Sequence, residues 1–313
     1  MHTVTWLARR VAAAVVLLWL VATVIFIAIR LIPGDPAEAI MGGPGSQASA
    51  EALEAAREQY HLNEPIMVQY GLYLGQLATG DLGTSYAQHR PVAQVMAEML
   101  PATLQLTLIA LVIAWLIAFV MAAIAARSSR LGQAMGTIIE VIAAAIPHFW
   151  LGAMLIIIFS TWLGWLPAVD TGTVQGIILP AFTLAIPLSG FLAQLMRDSL
   201  LTAMNSPFAL AARTRGASEG QVFFRHGFRH AALPALNLTG WAVAASISGA
   251  VVVEEVFARP GLGRSLLGAV LSRDMPMVTG IALFSALVYM VVMLVVETIE
   301  ALINPAAARG EDQ

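Results

Sequence analysis

The chain has 313 residues, of which 59% are apolar and 11% charged, with a formal net charge of -3. A soluble domain could not hide that much apolar surface, so the composition points to a membrane protein with no soluble domain attached. All 16 basic residues are arginine and cysteine is absent, which excludes disulfides, thiol catalysis and cysteine-ligated metal.

Arg9 and Arg10 precede an uncharged run from Val11 to Ile29, long enough to cross a bilayer at about 1.5 Å per residue. Ala37-Glu38-Ala39 imitates a signal cleavage site, but the run exceeds an ordinary signal core and five further spans follow. It is therefore read as a retained first helix, with Trp6 as interfacial anchor and Arg30 snorkelling outward.

The longest polar stretch follows, Pro33 to about Leu100. It opens on the turn Pro33-Gly34-Asp35-Pro36 and a flexible link, Gly42-Gly43-Pro44-Gly45. A helix is expected over Ser49–Tyr60, a second, amphipathic and lying on the membrane surface, over Met67–Leu77, and a third from Arg90-Pro91 to Pro101. Gly80-Asp81-Leu82-Gly83 is a turn. Acids outnumber bases here, which suits an extracytoplasmic segment.

The second span is expected at Ala102–Ala126 and the third at Ala134–Leu163, broken at Ile146-Pro147. The fourth is expected at Ile177–Met196, with Pro180 and Pro187 near one face. The fifth runs from Leu233 to Val253 and the sixth from Met277 to Leu302, stopped by Asn304-Pro305. Between them Glu254–Pro276 is an outer loop. The result is an all-α membrane protein of six transmembrane helices with both termini cytoplasmic. By this assignment ten arginines fall inside and six outside. Four regions are expected: residues 1–32, the extracytoplasmic segment 33–100, the core 101–305 with a cytoplasmic loop at about 199–232, and the tail 306–313.

That central loop carries Arg197, Arg213, Arg215, Arg225 and Arg229 against Asp198 and Glu219. Ser206 reads as an N-cap with Pro207 at the first helical position, Gly216 as a left-handed C-terminal cap, and Ser218 with Gln221 as a capping box opening a second helix that enters the membrane at Pro234. Phe208, Ala211, Ala212 and Gly216 are expected to form a small-residue face fitting a groove on another protein. On charge alone, a basic surface loop held by anionic membrane lipid is the better reading. The order Ala211-Ala212, Gly216, then Leu233-Pro234 resembles the EAA loop of ABC importer permeases. The peptide branch usually reads close to YxRTARAKG. Here Phe208 replaces the tyrosine, Ala211 the threonine and Arg215 the lysine, and Leu210 stands where the motif's acid would be.

With PGDP at 33–36, GDLG at 80–83, PGLG at 260–263 and Asn304-Pro305, the whole chain resembles the dipeptide, oligopeptide and nickel permease family, and within it the first of two permease subunits. The resemblance implies the type I ABC importer permease fold in the bacterial inner membrane. It also implies half of a path for short peptides, a second permease, two ATP-binding subunits holding ATP and Mg, and a substrate-binding protein. Phe208, Ala211, Ala212, Arg213, Arg215 and Gly216 would dock the ATPase. The chain has no GxxxxGK[ST] loop, so no cofactor, catalytic residue, metal site or nucleic-acid role is expected in it, and hydrolysis falls to partners. Nickel, metal-chelate or glutathione cargo, and a stand-alone secondary transporter, stay open as alternatives.

Charged residues in spans are functional candidates by default. For Glu140, Glu297 and Glu300 pairing with cytoplasmic arginines is favoured. Glu254 and Glu255 divide evenly between a structural role and an outer gate or binding-protein contact, grouped with Asp35, Asp81, Arg259, Gly261 and Gly263. His148, Ser246 and Ser248 are candidates for the path, against a satisfied histidine at a kink and helix–helix contacts.

Overall fold

The computed structural model describes residues 2–42 and 47–303. Residues 43–46 of the glycine-rich link, Asn304-Pro305, the tail, and the side chains of Trp6, Arg9, Arg127, Arg225, Arg229 and Glu300 lie outside the described residues. Helices dominate; among the described residues one isolated bridge, Thr84 to Pro91, is the only strand-like pairing. The chain divides into two compact units, Met1–Ala102 with Pro260–Met290, and Thr103–Arg259 with Val291–Gln313.

The first unit begins with α1 (His2–Leu31), α2 (Pro36–Ile40), α3 (Ala50–Gln59) and α4 (Ile66–Ala78). The turn expected at 33–36 opens the short helix α2. Asp35 Oδ1 accepts from Ala37 N at 2.9 Å at the head of α2, with proline at the first helical position, and Ser49 caps α3. The α4 helix does more than lie on a surface. Tyr70 and Tyr73 set their rings 5.0 and 5.4 Å from Phe26 of α1, and their hydroxyls meet Thr23 at 2.7 Å and Thr279 at 3.1 Å. Its other face leaves Ile66, Met67 and Leu72 exposed.

The expected third surface helix and second span are one helix, α5 (Val92–Arg127), with Pro101 inside it. Proline removes one backbone hydrogen bond, and in a long apolar helix the rest of the ladder carries the chain through. The expected outer loop 254–276 is also largely helical. Gly261 opens α12 (Leu262–Leu271), and Asp274 caps α13 (Met275–Ile303) by accepting from Met277 N at 3.2 Å. Asp274 also accepts from the Ser85 hydroxyl, buried, and from Ala87 N at 3.2 Å, so the segment after GDLG is pinned to the start of α13. Val92, Val95 and Met96 form this unit's core with Leu262, Ala269, Met277 and Ile281.

In the second unit α6 (Arg130–Ala145) and α7 (His148–Leu155) are separated by Pro147. Proline forces Ile146 into extended backbone (ψ 124°) and ends α6 there. The π-helical stretch Ile156–Trp162 continues α7, and this pair is bent 98° against α6. The expected third span is thus a broken one. Counted as one span, it completes six with the five long apolar helices among the described residues. The central element is α8 (Val174–Met204), 78% of whose most apolar stretch is buried. Against it lie Leu106, Ala110, Ala114 and Ala118, at helical spacing on α5. Gly190 of α8 sits where a Cβ would lie 2.5 Å from the Glu140 carbonyl and 2.6 Å from Ala144 N, so α6 and α8 meet backbone to backbone.

Candidate docking loop and buried charge sites

After α8, Ser206 caps α9 (Pro207–Thr214) through Ala209 N. Gly216 adopts φ +86°, where a side chain would be strained. Its N–H reaches Arg213 O at 2.9 Å and Ala217 N reaches Ala212 O at 3.1 Å, the paired bonds of a glycine-terminated helix. Ser218 and Gln221 form the expected capping box at α10 (Glu219–Gln221). A π-helical stretch, Val222–Gly227, then joins it to α11 (Phe228–Val256), which contains Pro234. The helix entering the membrane is therefore one helical run from Glu219.

Arg213 binds the loop together. Its Nε and Nη2 donate to Glu219 at 2.7 and 3.1 Å, and its Nη1 donates to the Met204 carbonyl at the end of α8 at 3.0 Å. The hydrogen bond between them holds the Glu219 carboxyl below its usual range and the Arg213 guanidinium above its own. The expected small-residue face needs correction. Ala212 is buried, and with Ala209 and Val222 it makes the loop's own small core. Ala211 is half-buried. The outward groups are Phe208 at 37% exposure, Leu210 at 62%, Arg215 and Gly216, and beyond them Phe224 at 60%. Leu210, where an acid was missed, is the most exposed apolar group of α9.

Two of the candidate span acids, Glu140 and Glu254, have buried partners. Glu140 is fully enclosed and receives both its hydrogen bonds from Arg197 Nε, at 3.2 and 3.0 Å; Arg197 also reaches Asp198 at 3.1 Å. This is the expected pairing. Glu254 is fully buried and accepts from the Thr103 hydroxyl at 2.6 Å, whereas Glu255 is exposed. Arg259 is 4% exposed, ion-paired with Asp170 and bonded to Gln105 at 2.9 Å. Asp170 in turn accepts from Gly172 N at 2.9 Å, and its own N–H donates to Phe257 O at 2.8 Å. Glu254, Arg259, Gly261 and Gly263 are all buried. Asp170 and Gln105 were missed; an arginine beside the end of a span, needing an acid, was the signal available.

The remaining outer candidates do structural work. Asp35 caps α2 and bonds Arg57, which holds its carboxyl below the usual range, and Pro33 O accepts from Arg273. Asp81 Oδ1 accepts from Gly83 N at 2.8 Å, which lowers its carboxyl likewise. Among the path candidates, Ser246 is buried and donates to Ala242 O of its own helix at 2.7 Å, a packing role, while Ser248 is exposed. His148 opens α7 with its ring against Gly249 of α11, where a Cβ would lie 3.2 Å from Nε2. Glu297 is half-buried.

The family model described as binding-protein-dependent transport system inner membrane component matches residues 114–309, and the model for the N-terminal part of such membrane components matches residues 3–107. A Brucella suis biovar 1 protein named for a peptide transport system permease is 35% identical over 306 residues, covering 95% of this chain and 96% of its own. The glutathione transport system permease protein GsiC of Salmonella typhimurium is 34% identical over 299 residues, covering 95% and 97%. The crystal structure of an amino acid ABC transporter with histidines aligns with 67% of this chain and 92% of its own at a TM-score of 0.50 and 20% identity, which shows a shared fold. The chain belongs to the inner membrane components of binding-protein-dependent transport systems, as a multi-pass ABC importer permease of the peptide family.

Proposed function

We propose that this permease forms half of the translocation path of a heteromeric importer for short peptides. A second permease forms the other half, two ATPase subunits bind and hydrolyse ATP with Mg, and a binding protein delivers cargo to the extracytoplasmic segment 33–100. Both termini and the loop at about 199–232 face the cytoplasm in this reading. The peptide cargo rests on the names of the relatives. Glutathione, itself a tripeptide, is the specific second reading, because a relative of nearly equal identity is named for it.

The observation that carries the docking role is the geometry of α9. It is braced from within by Arg213, the glycine cap and the capping box, and it presents Phe208 and Leu210 outward. A rigid short helix with an exposed apolar tip suits a groove on a partner. The test is co-purification of the complex from membranes carrying Phe208→Glu with Leu210→Glu. The ATPase should be lost while the second permease stays bound. If the ATPase remains at native stoichiometry, α9 is not its docking element.

A further inference from the structure

Two cavities in the first unit line up along the same helices. One is an apolar groove of about 580 Å³, walled by Val15, Trp19 and Ala22 of α1, Leu74 and Ala78 of α4, and Gly280 to Leu287 of α13. The other is a polar chamber of about 390 Å³ lined by Arg30, Gln69, Tyr73, Gln76, Tyr86 and Thr279, among others. Leu77 and Leu82 belong to both walls. Along α1 the groove occupies residues 15–22 and the chamber residues 26–30; along α13 the chamber takes 275–279 and the groove 280–287. The sequence order is opposite on the two helices, so the C-terminal part of α1 and the N-terminal part of α13 share the chamber.

Arg30 stands one residue before the end of the apolar span Arg10–Leu31, at the level where headgroups lie. From Arg30 to Ala22 and on to Val15 is roughly 12 to 22 Å at about 1.5 Å per residue. One leaflet of a bilayer about 40–45 Å thick with its headgroups is roughly 20–22 Å deep, so the foot of the groove lies near the bilayer midplane, about the depth that one acyl chain reaches from a headgroup at Arg30. Arg30 lies over the Phe26 ring at 3.6 Å and donates to Phe26 O and Gln69 Oε1, both neutral, and among the described residues it has no carboxylate partner. Asp81, the acid among the residues that line the chamber, is taken up by Gly83 N and Gln76. We propose that this unit binds one phospholipid with an anionic headgroup, its phosphate in the chamber beside Arg30 and one acyl chain in the groove between α1, α4 and α13.

The observations favour lipid over a protein helix. The groove is one chain deep, the chamber holds an uncompensated cation, and exposed Val15, Trp19 and Leu287 at its mouth sit at hydrocarbon depth. The test reconstitutes the full importer in vesicles doped with photoactivatable phosphatidylglycerol or phosphatidylcholine and maps the adducts by peptide mass spectrometry. Phosphatidylglycerol should label residues 15–22, 74–82 and 280–287 preferentially. Arg30→Ala should cut that preference roughly tenfold or more, the scale of one charge-assisted contact, while Arg30→Lys should keep part of it. Ala78→Phe, at an exposed position of the groove wall, should lower labelling by both lipids. If a variant does not assemble, the preference on the native chain decides. Equal labelling by the two lipids, labelling spread along all exposed faces of α1, suppression by inorganic phosphate, or shielding of the groove by a second permease chain would each overturn the proposal.

Discussion

The Glu140–Arg197 pair allows a sharp test of what the buried charge in this permease is for. Glu140 is wholly enclosed and the Arg197 side chain is 10% exposed, so neither is held by water. Both carboxylate oxygens depend on one donor, Arg197 Nε. Substituting Arg197→Met keeps the aliphatic bulk against α6 and removes the donor, leaving an uncompensated buried carboxylate at a cost of about 3–5 kcal/mol. At roughly 2–4 °C per kcal/mol for a domain of this size, the loss amounts to a drop of roughly 6–20 °C in apparent Tm. Replacing both partners, Glu140→Leu with Arg197→Met, removes the charge as well as its donor, and should recover most of that loss. The assay is fluorescence-detected gel filtration of detergent-extracted protein after graded heating, read as a midpoint at fixed scan rate because unfolding of such proteins is seldom reversible. Were the double variant as unstable as Arg197→Met, or were the single variant unaffected, the pair would not be a structural neutralisation. A transport defect in a double variant of native stability would instead give the pair a role in the conformational cycle.

Other outcomes follow from the same geometry. Gly190→Leu should prevent stable folding, since even a Cβ would meet α6 backbone at 2.5–2.6 Å, and loss of the monodisperse peak in gel filtration reads it. Gly216→Ala meets no neighbour, so it should cost only the left-handed backbone strain of about 1 kcal/mol, seen as faster limited proteolysis in the loop with the transmembrane helices intact. The Asp35 carboxyl is held below its ordinary value of 3.8 chiefly by the hydrogen bond from Arg57. Its contribution is therefore full above that pH and is lost as pH falls through the lower folded value, never at rising pH. Asp35→Asn should flatten that acid limb in a pH series of melting midpoints and leave the neutral region shifted by a constant amount.

The parts of this molecule legible in its sequence are those whose physics is local. Ser206, Gly216, Ser218 and Gln221 each satisfy a backbone group within five residues and Pro207 leaves no N–H to satisfy, so residue type and spacing alone place the ends of α9 and the start of the following helix. Long uncharged runs place the spans for the same reason, because lipid leaves the backbone no alternative to a helix. What was not legible depends on distance in sequence. The face that α9 turns inward is chosen by Val222, in the π-helical stretch beyond α10, so Ala212 could not be told from an outward alanine. Arg259 meets Asp170 across 89 positions and Arg197 meets Glu140 across 57. Pro101 and Pro147 show the same limit from the other side. Both are prolines in apolar stretches, yet one is absorbed within α5 and the other turns the chain by 98°. The proline's own chemistry is identical at the two sites, so the surrounding packing decides which outcome wins. At residue 147 the extended conformation imposed on Ile146 is kept, and α7 leaves α6 to place His148 against Gly249 of α11. A bend held by contacts with α11 should persist when Pro147 is replaced by alanine, whereas a bend owed to proline alone would straighten.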